Sequence, residues 1–202
     1  MPAVTNVVFD IGNVLVRWEP KRLYSELIPD PALRDWFLAE VCSDDWNREF
    51  DRGRPYAEGV AELVARHPRW AKEIRAWDER WSDMVTGAIE GTVRLLETLR
   101  ANDVPTWAIT NFSAEKFPIA LARFPFLSGF RDTVVSAEER LLKPDPAIYR
   151  VLLERNGLAP ETCLFIDDLD VNVLGARTVG MNAVTFTSPE RLALDLDAFG
   201  LP

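Results

Sequence analysis

Residues 4–16 read Val-Thr-Asn-Val-Val-Phe-Asp-Ile-Gly-Asn-Val-Leu-Val, a short and largely β-branched apolar run that is interrupted at Asp10. Such a run is typical of a parallel strand that is buried on both faces of its sheet. A carboxylate directly after the strand stands at the carboxyl edge of the sheet, where open α/β folds hold their ligands. The stretch therefore predicts an α/β fold with a ligand site that begins at Asp10.

Three further polar clusters follow apolar runs or lie in a loop between them. They are Thr110-Asn111 after the run 104–109, Lys143 before Pro144, and Asp167-Asp168 after the run 163–166. Alone, each has an ordinary explanation as a turn, a helix cap or a solvated lysine. Together at one sheet edge, two acidic strand ends, a hydroxyl and a lysine make a site for a divalent cation and a phosphoryl group. Asp167-Asp168 is the most telling cluster, because adjacent buried carboxylates are costly without a compensating cation.

The rest of the chain shows two kinds of hydrophobic pattern, one of alternating strands and helices and one of helices alone. Strands are predicted at 4–9, 104–109, 133–135, 163–166 and 183–186, and helices at 92–99, 113–124, 146–156 and 171–179. This alternation predicts a Rossmann-like parallel sheet with helices on both faces. Residues 18–90 instead show helical spacing broken by Pro and Gly, and they contain six of the seven tryptophans. We predict that 1–17 and 91–202 form the Rossmann-like catalytic core and that 18–90 form a small all-helical cap inserted after the first strand.

Composition narrows the class of protein further. The 202 residues suit one domain with an insertion, and the net charge of −9 argues against nucleic acid or an anionic membrane as partner. No run approaches the roughly 18 apolar residues of a membrane span, so a cytoplasmic location is expected. Cys42 and Cys163 are expected to be reduced thiols. His67 is the only histidine, which excludes a zinc site built from several histidines, and we expect no Ser-His-Asp triad of the usual type.

In this order the motifs resemble those of the haloacid dehalogenase (HAD) superfamily, whose members are mostly Mg²⁺-dependent phosphatases. The matching segments are residues 9–16, Thr110-Asn111, Lys143-Pro144-Asp145-Pro146 with Ile148-Tyr149, and Phe165-Ile166-Asp167-Asp168 with Asn172 and Gly175-Ala176. The resemblance covers essentially the whole chain, and the pattern is most similar to sugar-phosphate phosphatases of the glucose-1-phosphate phosphatase type. It implies hydrolysis of a small phosphomonoester through an aspartyl-phosphate intermediate, with the helical insert as a cap over the site.

The resemblance also implies a Mg²⁺ cofactor and its ligands. Asp10 would be both the nucleophile and a metal ligand, and the Gly12 carbonyl would supply a second ligand. Asp168 would coordinate the metal directly, and Asp167 would do so directly or through water.

The same resemblance assigns the remaining site residues to the substrate. Thr110 and Asn111 would bind the phosphoryl oxygens. Lys143 would serve in both substrate binding and catalysis by neutralising charge between the nucleophile and the phosphate. Asp170 and Asn172 are expected to cap the helix that follows.

One position departs from the pattern of most phosphatases in the superfamily. They carry a second aspartate two residues after the nucleophile as general acid and base, and here that position is Gly12. General acid–base catalysis contributes about 10²–10⁴-fold, so turnover would be slow or restricted to good leaving groups. An acid from the cap is one candidate replacement, and four lie near Gly53: Asp44, Asp45, Glu49 and Asp51.

The sequence leaves alternatives to this interpretation. A metal-independent 2-haloacid dehalogenase also lacks the second acid, but such enzymes typically have neutral residues in place of Asp167-Asp168. A third hypothesis is a non-catalytic binding protein on the same fold, and Gly12 alone supports it. The cap tryptophans are expected mainly to form the cap's own core, with an aromatic platform for the substrate or a homodimer contact as alternatives.

Overall fold

A five-stranded parallel sheet with the order β5-β4-β1-β6-β7 forms the centre of the computed structural model, which describes residues 3–202. A separate antiparallel pair consists of β2 and β3. The strands are β1 (Asn6–Phe9), β2 (Val16–Trp18), β3 (Val85–Ala88), β4 (Thr106–Thr110), β5 (Thr133–Val135), β6 (Cys163–Asp167) and β7 (Asn182–Thr185). All five strands predicted for the central sheet are confirmed, because each is an apolar run too short for a helix and rich in residues that favour strands.

The helices lie on both faces of the sheet and in the insert. They are α1 (Pro20–Leu27), α2 (Pro31–Glu40), α3 (Asp44–Asp51), α4 (Tyr56–Arg66), α5 (Ala71–Glu79), α6 (Trp81–Met84), α7 (Glu90–Ala101), α8 (Phe117–Arg123), α9 (Ser136–Glu139), α10 (Pro146–Asn156), α11 (Asp170–Thr178) and α12 (Pro189–Ala198). Short 3₁₀ turns at Pro68–Trp70, Pro125–Gly129 and Pro160–Thr162 complete the secondary structure.

Alternating residues of β1 divide the interior into two apolar layers. Val7 and Phe9 pack into the layer that contains α7, α8 and α12, whereas Val8 packs into the layer that contains α10 and α11. Successive side chains of a strand point to opposite faces, so a continuous apolar run requires cover on both sides. The predicted α/β architecture with helices on both faces is thus confirmed.

Six helices, α1 to α6, occupy the insert between β2 and β3. Three of its five tryptophans, Trp46, Trp77 and Trp81, are core residues that are each no more than 5% exposed, whereas Trp70 packs against that core and Trp36 is 39% exposed. The prediction of an all-helical segment missed β2 and β3, which pair at the two ends of the insert. These strands have three and four residues and a register shift at Arg17/Trp18, so they leave no period-2 pattern to read. The division of the chain at residues 18 and 90 remains a prediction.

Two smaller features complete the description. Helix α8 begins at Phe117, four residues later than the predicted start at residue 113, because Ser113 directs a turn in which its Oγ accepts the Glu115 N–H at 3.2 Å. Cys42 and Cys163 are buried free thiols. Within residues 3–202, none of the helices has both the length and the apolar character that crossing a membrane requires.

Candidate active site

The register of the central sheet brings Asp10 and Asp167 side by side. Phe9 pairs with Ala108 of β4 and Ile166 of β6. The next residue along β1 and along β6 is therefore an aspartate in each case, at the same level of the carboxyl edge. With Asp168, these carboxylates offer ligand atoms that all lie within 4.8 Å of one another. The predicted convergence of widely separated strand ends is present.

Lys143 bridges two of the three carboxylates. Its Nζ lies 2.7 Å from Asp10 Oδ1 and 2.7 Å from Asp167 Oδ2, and its side chain is 1% exposed. Burial lowers the pKa of Lys143, but the two carboxylates outweigh burial and raise it above its ordinary value. The lysine is therefore a fixed positive charge inside the acidic cluster.

Burial has the largest effect on the ionisation of Asp10. Burial raises the pKa of Asp10 to about 7, with further increases from Asp167 and Asp168 and an opposing effect of Lys143. Its Oδ1 also accepts the Ile11 N–H at 2.7 Å. An additional positive charge at this edge would stabilise the ionised form that a nucleophile needs.

Asn111 positions Lys143 through the backbone. Its Oδ1 accepts the Lys143 N–H at 2.8 Å, and its Nδ2 donates to the Lys143 carbonyl at 3.2 Å. The oxygen and the nitrogen of the Asn111 side-chain amide are therefore both hydrogen-bonded to the Lys143 backbone. The predicted contact with phosphoryl oxygens would be made by a side chain that already has these partners. That contact remains a prediction, as does the one assigned to Thr110, which lies buried at the carboxyl end of β4.

Asp167 is fully engaged by its surroundings. Beyond Lys143, its Oδ1 accepts the Leu169 N–H at 2.9 Å and the Asn172 Nδ2 at 2.9 Å. The expected capping role of Asn172 is therefore wrong, as is that of Asp170, whose carboxylate pairs with the Thr185 hydroxyl. The N-cap residue of α11 is Leu169, with no side-chain cap. Asn172 faces inward because the buried Asp167 offers its amide a stronger, charged acceptor.

Asp168 and Gly12 present oxygens with fewer partners. Asp168 is partly exposed, and its Oδ2 accepts a long contact from Asn13 Nδ2 at 3.4 Å. The turn after Asp10 is closed by the Leu15 and Val16 N–H groups, which both donate to Ile11 O, so the Gly12 carbonyl lies outside this network. Burial first, and then Asp167, raise the pKa of Asp168. An all-oxygen donor set of this kind suits a hard cation such as Mg²⁺.

Sequence reasoning missed several residues that organise the site. Asn13 adopts a left-handed backbone with φ of 55°, its Oδ1 accepts the Trp18 N–H at 3.0 Å, and its Nδ2 reaches Asp168. Ser136 joins the loop after β4 to the insert, because its Oγ accepts the Phe112 N–H and donates to the Asp51 carbonyl. The Asn13 turn had a local signal in Gly-Asn after a strand. Ser136 had none, since its partners are distant in sequence.

Gly175 on α11 permits the close approach of the segment that carries Lys143. A Cβ at this position would lie 2.6 Å from the Pro144 carbonyl oxygen and 3.0 Å from the Tyr149 hydroxyl. We expect Gly175→Ala to destabilise the protein by about 1–3 kcal/mol, because backbone must shift. Urea unfolding measures this loss. Leu174→Ala is the control, since Leu174 is 58% exposed on the same helix and should change stability by about 0.5 kcal/mol or less.

The fold and this site together define a class: enzymes with a Rossmann-like sheet that hold an acidic cluster and a lysine at its carboxyl edge. A sequence model of the haloacid dehalogenase-like hydrolase family matches residues 4–180. The chain therefore belongs to the haloacid dehalogenase-like hydrolase family, and the predicted membership and hydrolase class are confirmed.

Individual relatives support the same family. The chain is 32% identical over 215 residues to acyl-CoA dehydrogenase family member 10 of Mus musculus, covering 97% of this chain and 19% of the mouse protein. It is 25% identical over 193 residues to a sesquiterpene phosphatase of Aspergillus oryzae, covering 94% and 93% of the two chains. The chain spans less than half the length of three of the curated relatives that it matches.

Solved structures show the same fold. A HAD family enzyme from Bacteroides thetaiotaomicron, in complex with magnesium and inorganic phosphate, superposes with a TM-score of 0.71 at 21% identity. The match covers 92% of this chain and 95% of the other.

Proposed function

We propose that this protein is a Mg²⁺-dependent phosphatase that hydrolyses a small phosphomonoester through an aspartyl-phosphate intermediate, with a sugar phosphate as the first candidate substrate. One observation carries the proposal: the ligand atoms of Asp10, Asp167 and Asp168 lie within 4.8 Å of one another, and Lys143 contacts two of these residues. The name of the sesquiterpene phosphatase relative favours phosphoryl chemistry.

In this reaction Asp10 attacks the phosphorus atom. Its Oδ1 is already engaged by Ile11 N–H and Lys143, so we expect Oδ2 to be the attacking oxygen. Covalent attack divides one difficult displacement into two easier ones. Lys143 neutralises part of the charge that Asp10 and the phosphoryl group bring together, and Asn111 holds the lysine in place.

The metal would be held by Asp10, the Gly12 carbonyl and Asp168. Asp167 would take part through water, because Lys143, Leu169 and Asn172 already occupy its two oxygens. The fit is favourable because the Lys143 ammonium balances at most one of three clustered carboxylates. Bound there, Mg²⁺ would offset phosphoryl charge and favour the ionised form of Asp10.

The function is tested by phosphate release from 4-nitrophenyl phosphate and from a panel of sugar phosphates, with Mg²⁺ and with EDTA. We expect release that depends on Mg²⁺. Halide release from 2-chloropropionate without metal would instead support the hypothesis of a 2-haloacid dehalogenase, which Gly12 favours because such enzymes also lack the second acid. Mg²⁺ binding without turnover on any ester would support a non-catalytic protein.

Asp168→Asn tests the metal site separately from the chemistry. We expect it to raise the Mg²⁺ concentration for half-maximal activity by at least about 10-fold, because a carboxylate ligand becomes a weaker neutral one. The rise in melting temperature that Mg²⁺ gives the wild type should shrink correspondingly. Asp170→Asn is the matched control at the next acidic position of the chain. An unchanged Mg²⁺ requirement in Asp168→Asn would place the metal elsewhere.

Two broader predictions accompany this function. We propose that residues 18–90 act as the cap and that the protein works in the cytoplasm on a small-molecule ester. A homodimer also remains a prediction, which sedimentation or light scattering can measure.

A further inference from the structure

The insert contains four acids near Gly53, and they differ in exposure and in their hydrogen-bond partners. Asp44 and Asp45 are exposed in the first turn of α3, where carboxylates favour the helix dipole. Glu49 forms an ion pair with Arg54. Asp51, the last residue of α3, is partly buried. Its Oδ2 accepts a hydrogen bond from the neutral Asn47 Nδ2 at 3.3 Å. Unlike Glu49, its carboxyl group is therefore not held in an ion pair with an arginine of the insert.

The backbone at Asp51 is fastened to the edge of the sheet that carries the site. The Asp51 carbonyl accepts the Ser136 Oγ–H at 2.6 Å, and the same Oγ accepts the Phe112 N–H at 2.9 Å. Phe112 directly follows Thr110-Asn111. One hydroxyl thus links the end of α3 to the loop that follows β4.

Gly53 makes this close docking possible. Its φ of +95° lies in the left-handed region, and a Cβ would lie 2.8 Å from the Ala137 carbonyl oxygen. Any other residue would push the turn after α3 away from α9, and Asp51 with it. The neighbouring Tyr56 N–H donates to Glu115 Oε1 at 2.9 Å, which adds a second attachment of the insert to the core.

The ionisation of the Asp51 side chain is consistent with this position. Burial raises the pKa of Asp51 to about 7, against the opposing effects of Arg48 and Lys143. Burial first, and then Asp51, raise the pKa of Tyr56 on α4. Lys143 bridges Asp10 and Asp167, so its effect on the pKa of Asp51 agrees with the position that the Ser136 contact gives to the end of α3. A carboxyl group with a pKa near the operating pH is suited to both proton donation and proton acceptance.

We propose that Asp51 is the general acid and base of this enzyme, performing the proton transfers that Gly12 cannot. This inference rests on the proposed phosphatase function. When Asp10 attacks phosphorus, the bond from phosphorus to the ester oxygen breaks, and that oxygen keeps the electron pair and takes the Asp51 proton. Water then attacks phosphorus and gives a proton to the Asp51 carboxylate. The bond from phosphorus to Asp10 breaks, which releases phosphate and returns Asp10 as a carboxylate.

The test compares two leaving groups in the same variant. A poor leaving group needs the proton and a good one does not, so kcat/KM is measured for phenyl phosphate and for 4-nitrophenyl phosphate with saturating Mg²⁺. We expect Asp51→Asn to lower the value for phenyl phosphate by about 10²-fold or more and the value for 4-nitrophenyl phosphate by less than about 10-fold. The ratio of the two values does not depend on the fraction of the variant that folds.

Three variants sharpen the comparison. Asp45→Asn removes an exposed acid from the same helix and should leave both values unchanged. Asp51→Glu keeps an acid and should retain most of the activity with phenyl phosphate. Gly12→Asp combined with Asp51→Asn should recover that activity, because a Cβ at Gly12 meets nothing within 4 Å and an acid there has room.

The outcomes separate the two proposals. Equal losses with both esters in Asp51→Asn would overturn the role of Asp51 and leave the phosphatase function intact. A wild-type protein that releases phosphate from neither ester would overturn the function itself, and this inference with it.

Discussion

Asp10→Asn is expected to lower phosphate release by on the order of 10⁴-fold or more, because the amide cannot form the aspartyl phosphate on which both half-reactions depend. The measurement is kcat for 4-nitrophenyl phosphate with saturating Mg²⁺. Activity retained within about 10-fold of the wild type would show that another group attacks phosphorus.

Stability distinguishes this loss from misfolding, and its sign follows from the pKa of Asp10. Because the folded pKa is about 7 against an ordinary 3.8, ionised Asp10 makes the metal-free fold less stable as pH rises through this interval. An amide removes that cost while it can still accept the Ile11 N–H. In EDTA at pH 8 we therefore expect Asp10→Asn to unfold at a urea concentration no lower than the wild type.

Lys143→Met is expected to destabilise the protein by about 3–5 kcal/mol in EDTA, because it leaves buried carboxylates without their counter-charge. The loss should grow as pH rises from about 4 to 8, since Asp10 must then ionise without the ammonium. With Mg²⁺ present, the activity should still fall by about 10²-fold or more, because a positive charge aimed at the phosphoryl group is gone.

Two comparisons test the physical reason for this loss. Lys21→Met removes a lysine that is 70% exposed and paired with Asp35, and should cost no more than about 1 kcal/mol. Adding Asp167→Asn to Lys143→Met removes one of the unpaired carboxylates, and part of the stability should return. A double variant as unstable as the sum of the two single variants would mean that Lys143 and Asp167 do not interact across the site.

The clearest signals in the sequence came from residues whose environment is local. Each strand of the central sheet is an apolar run with its own boundaries, and α10 matches the prediction for 146–156 because Asp145 caps its start and Gly157 ends it in a left-handed conformation. The predictions that were wrong concern side chains whose hydrogen-bond partners are not their nearest neighbours in the sequence. Asn172 looks like a cap in the sequence, but it turns inward to the buried Asp167 carboxylate.

The sequence by itself determined the parallel sheet, the edge at which the site lies and the acidic strand ends that belong to it. This was possible because a run of consecutive residues shows both the apolar pattern of a buried strand and the point where the strand ends. Tertiary structure alone decided that Lys143 bridges Asp10 and Asp167, that Asn111 holds the lysine, and that the end of α3, which carries Asp51, docks on the loop after β4. These relations join residues 24 to 133 positions apart or in different layers of the fold, as in the ion pairs of Lys143 with Asp167 and Asp10. Chain closure and packing set such distances, and no local pattern encodes them.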